Sequence, residues 1–474
     1  MIRSSVSLAS AQRLLGGLCL LLCAIAAVLH APGHISYDTS VQLHEAQTGV
    51  NVSWNPPFMS ALLRWLGGNA LAAFWLMLIN VLGAYLGLRA IVRSSLAQLP
   101  QPRIATWRLL ACFVIIANPV IFLYVGILWK DVLIASLMLF ALTLALLASR
   151  TTGWRRLALA LGSLLMLLPM PMARQQGLFM LPILLLAPAW LLLPVLGRRF
   201  DRVLRVATVA LATILATVLL LLAVDRTIRD SEGQDVSNGF QAVISYDIAA
   251  AIARSRSAGQ DMMDRLHPSE TAWRKVTVLY TPMRSDPLGD PDAMHFLGRL
   301  NPKIRQEAWG HLLLAHPGVW LRSRWEAFSW LLDMHNLNAC LPVHIGVVGD
   351  PDYLHDLNVQ QGIDARGKLL QGVAQWAKTS ILYRHWFYAL LLPFALIAAW
   401  RARIGTPTRA VLLVHLAGLT AYLLSFFPTS LACDFRYLYP LIPSLSVIGL
   451  VLLLARGTSD DARESPVTDE ANAI

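Results

Sequence analysis

The run Ser36-Tyr37-Asp38-Thr39-Ser40-Val41-Gln42-Leu43-His44-Glu45 is a dense polar cluster in a chain of 474 residues that is 56% hydrophobic and only 14% charged. Its acids suggest one chemistry. A carboxylate can remove a proton from an incoming hydroxyl, and cations nearby can stabilise a departing phosphate as its charge develops. Asp38, Gln42 and Glu45 stand at i, i+4 and i+7 and share a face if the run is helical. An ordinary solvated loop would carry the same residues. Cations that could serve such a site are Arg64, Lys130, Arg174 and Arg436, each isolated in a short stretch between apolar runs. A plainer reading has each pairing locally, as Lys130 beside Asp131 and Arg436 near Asp434 permit, or snorkelling.

Apolar helices must position these residues. A soluble globular domain usually carries about 25% charged residues, and a chain this poor in charge, with a mean hydropathy of +0.55, needs lipid as solvent. A bilayer core about 30 Å thick takes roughly 20 apolar residues per helix. Such runs extend over Leu14 to Leu29, Ala70 to Val92, Leu109 to Tyr124, Val132 to Ala148, Leu157 to Pro171, Leu178 to Leu196, Val206 to Val224, Trp386 to Trp400, Ala410 to Phe427 and Tyr437 to Leu454. The expected fold is therefore an all-α polytopic membrane protein of about ten transmembrane helices. A large, helix-rich extracytoplasmic segment lies between the seventh and eighth. Pro169, Pro171, Pro182 and Pro188 predict kinks in the fifth and sixth spans.

Orientation follows from arginine clusters in alternate loops: Arg93, Arg103 and Arg108; Arg150, Arg155 and Arg156; Arg198, Arg199, Arg202 and Arg205; Arg401, Arg403 and Arg409. These loops are expected to be cytoplasmic. Both termini then face the cytoplasm of a bacterial inner membrane. The chain divides into an N-terminal module, 1–224, with a first external loop at 31–69; an extracytoplasmic segment, 225–384; C-terminal helices, 385–455; and a disordered acidic tail, 456–474. The first span follows Arg3 and Arg13 and contains the small-residue pattern Ala24-Ile25-Ala26, but it is read as an uncleaved anchor. On this topology Arg64, Lys130, Arg174 and Arg436 all sit on the outer face, against the usual bias, and an anionic group at that interface would explain them.

Other signals are plainer. The net charge of +11 needs no nucleic acid, because the arginines lie mainly in short loops rather than in a patch interleaved with aromatics. Of the five cysteines, Cys19, Cys23 and Cys112 lie in apolar runs, while Cys340 and Cys433 both fall outside, where a disulfide can persist. Sequence leaves that pairing open. Gly289-Asp290-Pro291-Asp292 and Gly349-Asp350-Pro351-Asp352 place aspartates two apart, which would suit a hard divalent cation, but Gly, Asp and Pro together favour turns. His335, His344 and His355 have no zinc-ligand spacing, so no metal or other cofactor is assigned. Trp320, Trp325 and Trp330 recur five apart and are read as an interfacial or packing surface. Amphipathic helices are expected over Asn301 to Ala315 and Gly318 to Leu332.

After the acidic run, Trp54-Asn55-Pro56-Pro57-Phe58 leads into apolar sequence, and here the chain resembles the GT-C superfamily of polytopic glycosyltransferases. Further similarities are Leu128-Trp129-Lys130-Asp131, Tyr246-Asp247-Ile248, His316-Pro317 through Arg324, and Arg436-Tyr437. The resemblance implies that Asp38 occupies the acidic catalytic position; Gln42, Glu45, Trp54 and Asn55 are the candidates for acceptor or donor binding. It implies a polyprenyl-phosphate sugar donor, whose phosphate Lys130, Arg174 and Arg436 would hold, and a glycan, lipid or protein acceptor on the outer face. Asn55 stands where many relatives have His, and paired aspartates of DxD type are not evident in the first loop. Two other classes fit the same topology: a transporter or flippase for an anionic lipid or glycan, and a glycan polymerase or ligase with a diphosphate-linked donor.

Overall fold

Several helices begin where a polar side chain closes the first turn. In the computed structural model, Ser7, Ser36 and Asn69 accept from the amides of Ser10 (3.2 Å), Thr39 (3.4 Å) and Leu71 (2.9 Å). They begin α1 (Leu8–His30), α2 (Tyr37–Thr48) and α4 (Ala70–Leu96), with α3 (Phe58–Trp65) between the last two. The structure describes residues 5–50, 52, 56–99, 101–192, 238–299, 301–335 and 340–455, with isolated positions at 211, 215, 218, 219 and 222. The described residues are 77% helical. The only sheet among the described residues is an antiparallel pair, β1 (Ser5–Ser7) with β2 (Arg103–Ala105).

The bundle continues through α5 (Thr106–Ile116) and α6 (Pro119–Tyr124), then α7 (Lys130–Ser149) and α8 (Gly153–Leu167). Next come the short helices α9 (Met170–Ala173), α10 (Gly177–Leu184) and α11 (Leu186–Leu192). Among the described residues seven helical stretches are long and apolar enough to cross a membrane, so the chain is a membrane-embedded all-α protein. They match seven of the ten expected runs. The sixth run is instead the pair α10 and α11, with Pro182 inside α10, and the described part ends at Leu192. The seventh, Val206 to Val224, lies outside the described residues apart from the isolated positions. The eighth falls in a helix of only 17 residues, α20 (His385–Arg401, numbered after those below). Ten spans are therefore not established.

The segment after residue 238 is helical, as expected, but it divides its burial between two cores. Helices α12 (Asn238–Arg254), α13 (Arg256–Leu266), α14 (Glu270–Leu279), α15 (Pro291–Arg299), α16 (Pro302–Ala315) and α17 (Pro317–Leu331) enclose Ile244, Ile248, Met262, Val276, Leu297 and Leu312. The bounds of α16 and α17 lie close to the two amphipathic runs read from sequence. Phe328 and Leu331, Leu354 on α18 (Pro351–Asp356) and Leu370 on α19 (Ala365–Ala377) join the bundle core instead. The chain closes with α20, α21 (Thr406–Thr429) and α22 (Leu441–Ala455).

The spans beginning at Lys130 and Phe435 are the central ones, 72% and 83% buried over their most apolar windows, against 33% for α1. Close approach explains part of this. A Cβ on Gly83 of α4 would collide with the Phe140 ring of α7. At one end of the bundle, Arg150 donates to Ser95 (3.1 Å) and Ser149 meets Thr408 (2.8 Å), which gathers three of the arginine-rich connections. The polar run gathers at the other end.

Candidate functional site

Asp38 reaches its place because the first loop is stitched to two distant segments. Ser36, which caps α2, accepts from the Trp129 indole at 2.8 Å, and the Thr39 hydroxyl donates to the Leu128 carbonyl at 2.8 Å. Those contacts set α2 beside the start of α7. Ile35 donates to the Gly346 carbonyl (3.0 Å) and accepts from the Val348 amide (2.8 Å), so the 344–348 strap covers the loop from the other side.

A histidine chain fixes the same junction. The Gly346 amide donates to His34 Nδ1 (3.1 Å), which makes the other ring nitrogen a donor to His30 Nδ1 (2.8 Å); His30 Nε2 then donates to the Phe122 carbonyl (2.9 Å). Each nitrogen has a role only if both rings are neutral. Burial, then the neighbouring His30 and His344, pushes His34 down to about 3. Gly126 leaves the room for His30, since a Cβ there would collide with its ring. Nothing in the sequence spacing signalled this chain.

Around Asp38 three cations and three carboxylates meet. Arg436 donates to Asp38 (2.7 Å) and to Asp434 (3.1 Å), and lies 3.9 Å from Asp131. Arg174 pairs with Asp131, which is fully buried. Lys130 is buried beside them. Aromatic faces hold the guanidinium groups: Arg174 lies 4.2 Å from the Tyr437 ring and Arg436 lies 4.9 Å from Trp129. Burial pushes the Asp38 carboxyl up, but Arg436, Lys130 and Arg174 together outweigh it and hold it below the usual carboxylate range. Asp434 goes the other way, raised by burial against the pull of Arg436.

The cluster thus brings together Asp38, Lys130, Arg174 and Arg436 from four distant parts of the chain. Gln42 and Glu45 lie on the same helix but are almost wholly buried. Glu45 accepts from the Val52 amide (3.0 Å) and the Ser60 hydroxyl (2.6 Å), tying α2 to the start of α3. Gln42 Nε2 has no hydrogen-bond partner among the described residues. Arg64 donates to the Glu45 and Ala46 carbonyls at 3.2 Å each, capping the C-terminal end of α2. Trp54 and Asn55 lie outside the described residues.

The remaining motifs make contacts within the fold. Asp290 and Asp292 hold Lys275 at 2.9 and 2.8 Å, and Asp350 caps α18 by accepting from the Asp352 amide at 3.0 Å. Among the described residues no group of three His, Cys, Asp or Glu is placed to hold a metal ion. Trp320 donates to Asp247 (3.0 Å), and Trp330 stacks on His335 at 4.4 Å. Asp247, on α12, forms a buried ion pair with Arg324 of α17 and also accepts from Trp309 at 2.8 Å.

Cys340 and Cys433 form a disulfide across 93 residues of sequence, tying the 340–348 strap to the turn that carries Asp434 and Arg436. A disulfide typically contributes about 2–4 kcal/mol. Cys433→Ser is accordingly expected to lower the melting temperature. Adding a thiol reductant should lower that of the wild type to match and leave the variant unchanged.

Comparison of the chain with protein-family models, with curated proteins and with solved structures finds no match.

Proposed function

We propose that the chain is a bacterial inner-membrane glycosyltransferase that moves a sugar from a polyprenyl-phosphate donor to an acceptor hydroxyl on the outer face. The observation that carries this reading is the meeting of Asp38 with Lys130, Arg174 and Arg436 at the bundle end away from the arginine-rich connections. On this reading both termini are cytoplasmic and the segment around the Cys340–Cys433 disulfide is extracytoplasmic, where such a bond persists.

With three cations against three carboxylates the cluster is formally neutral, so it is not an empty positive pocket awaiting phosphate. A donor phosphate arriving on Arg436 must replace a carboxylate there. Asp38 is the one to yield, since its side chain is 30% exposed, against 16% for Asp434 and none for Asp131. Once released from Arg436, Asp38 becomes more basic, because the charge that depressed its pKa now faces phosphate. Asp38 then takes the acceptor proton as the acceptor oxygen bonds to the anomeric carbon. The carbon–oxygen bond to phosphate breaks, and its electron pair leaves on the polyprenyl phosphate, held by Arg436, Arg174 and Lys130. Attack from the opposite side inverts the sugar.

The test is mass spectrometry of membrane lipids and envelope glycans from a strain lacking the protein. A polyprenyl-phosphate sugar should accumulate while one glycan decoration disappears. An accumulating diphosphate-linked glycan would point to a polymerase or ligase. A lipid mislocated with no covalent change would point to a transporter.

A further inference from the structure

Away from the Asp38 cluster, a cavity of about 680 Å³ opens where α17 ends and α20 begins, lined by Leu332, Asp333, His335, Arg384, Trp386 and Leu390 among others. An ion pair builds its polar end. Arg384 donates to Asp333 at 2.9 Å, with Asp333 only 4% exposed and Arg384 30% exposed. Both line the cavity, and Arg384 is the more exposed of the two. Burial raises the Asp333 carboxyl to about 6 while Arg384 opposes the shift, so at neutral pH the pair is ionised and carries no net charge. The Trp386 amide, donating to the Leu332 carbonyl at 3.0 Å, pins the two walls together.

Below this end the wall turns apolar through Ala389 and Leu390. Leu390, Phe394 and Ile397, at i, i+4 and i+7 on α20, continue it as an exposed stripe. We propose that the cavity binds the phosphodiester head of a membrane glycerophospholipid, with one acyl chain lying along Leu390, Phe394 and Ile397. A guanidinium suits phosphate oxygens in fork geometry, and Arg384, which gives Nη1 to Asp333 and stays 30% exposed, keeps donors for a singly charged phosphodiester. From Leu390 to Ile397 the stripe rises about 10 Å, at about 1.5 Å per residue, which lies within the depth of one leaflet, about half of a bilayer core. A polyprenyl chain would far outrun it. The site shares no residue with the Asp38 cluster and stands whether or not the transferase reading does.

The test is native mass spectrometry of the purified, delipidated protein titrated with dioleoyl phosphatidylethanolamine. Wild type should retain one lipid per chain more tightly than any further lipid. Arg384→Gln should weaken that lipid by at least about tenfold. Ala389→Trp fills the apolar wall without touching the ion pair, and it should give the same loss even if Arg384→Gln folds poorly. Equal retention by wild type and Ala389→Trp overturns the proposal. So does a wild type that retains no lipid preferentially, or one that retains a polyprenyl monophosphate in competition with the phosphodiester.

Discussion

Asp38→Asn is expected to reduce glycosyl transfer by about 10²–10⁴-fold, the usual contribution of a positioned general base. The melting temperature should hardly move. Arg436 keeps Asp434 at 3.1 Å and Arg174 keeps Asp131 when Asp38 loses its charge, so both guanidinium groups stay paired. The amide is isosteric and can still accept from Arg436, which leaves loss of basicity as the main change. Assay of membranes carrying wild type or variant, with melting measured on the same preparations, separates the outcomes. Full transfer by Asp38→Asn would remove Asp38 from the chemistry. Loss of transfer together with a large drop in melting temperature would make it a structural residue.

Arg324→Leu should have the largest effect on stability. Arg324 and Asp247 are 1% and 2% exposed, and removing one member of a buried pair typically costs about 3–5 kcal/mol because the other charge stays behind without compensation. Here Asp247 would retain only the Trp309 and Trp320 indoles. The Ser430 and Val243 carbonyls would lose their guanidinium donors as well, at 3.0 and 3.2 Å. Since Ser430 immediately follows α21, the change should loosen the 238–327 core and its seat on the bundle together. Limited proteolysis should then cut within 238–327 first. A variant with wild-type melting and cleavage would refute this account of the pair.

Most of the membrane bundle was legible in the sequence because the bilayer imposes a length and a composition on each span. The lone cations were legible for a related reason. Lys130, Arg174 and Arg436 each stand isolated between apolar runs, and they do meet. Their partners were not legible. Arg436 bonds to a residue 398 positions away, and no local pattern encodes such a contact. Glu45 looked like part of a reactive face, yet it is occupied by Ser60 and the Val52 amide, and its exposure could not be inferred from helical spacing. The short motifs around Asp247 and Arg324 were visible, but only their burial gives them a structural role. The histidine chain depends on backbone groups at Gly346 and Phe122, which have no side-chain signature at all.

The pairing of Asp38 with Arg436 also sets an order in time. With 398 residues between them, and synthesis at about 5–20 residues per second, about 20–80 s separate their emergence from the ribosome. Throughout that interval the loop around Asp38 must wait for both the strap at 344–348 and the turn at 433–436. A chain that stops between the end of α21 and residue 433 therefore carries most of its helices but no assembled polar cluster.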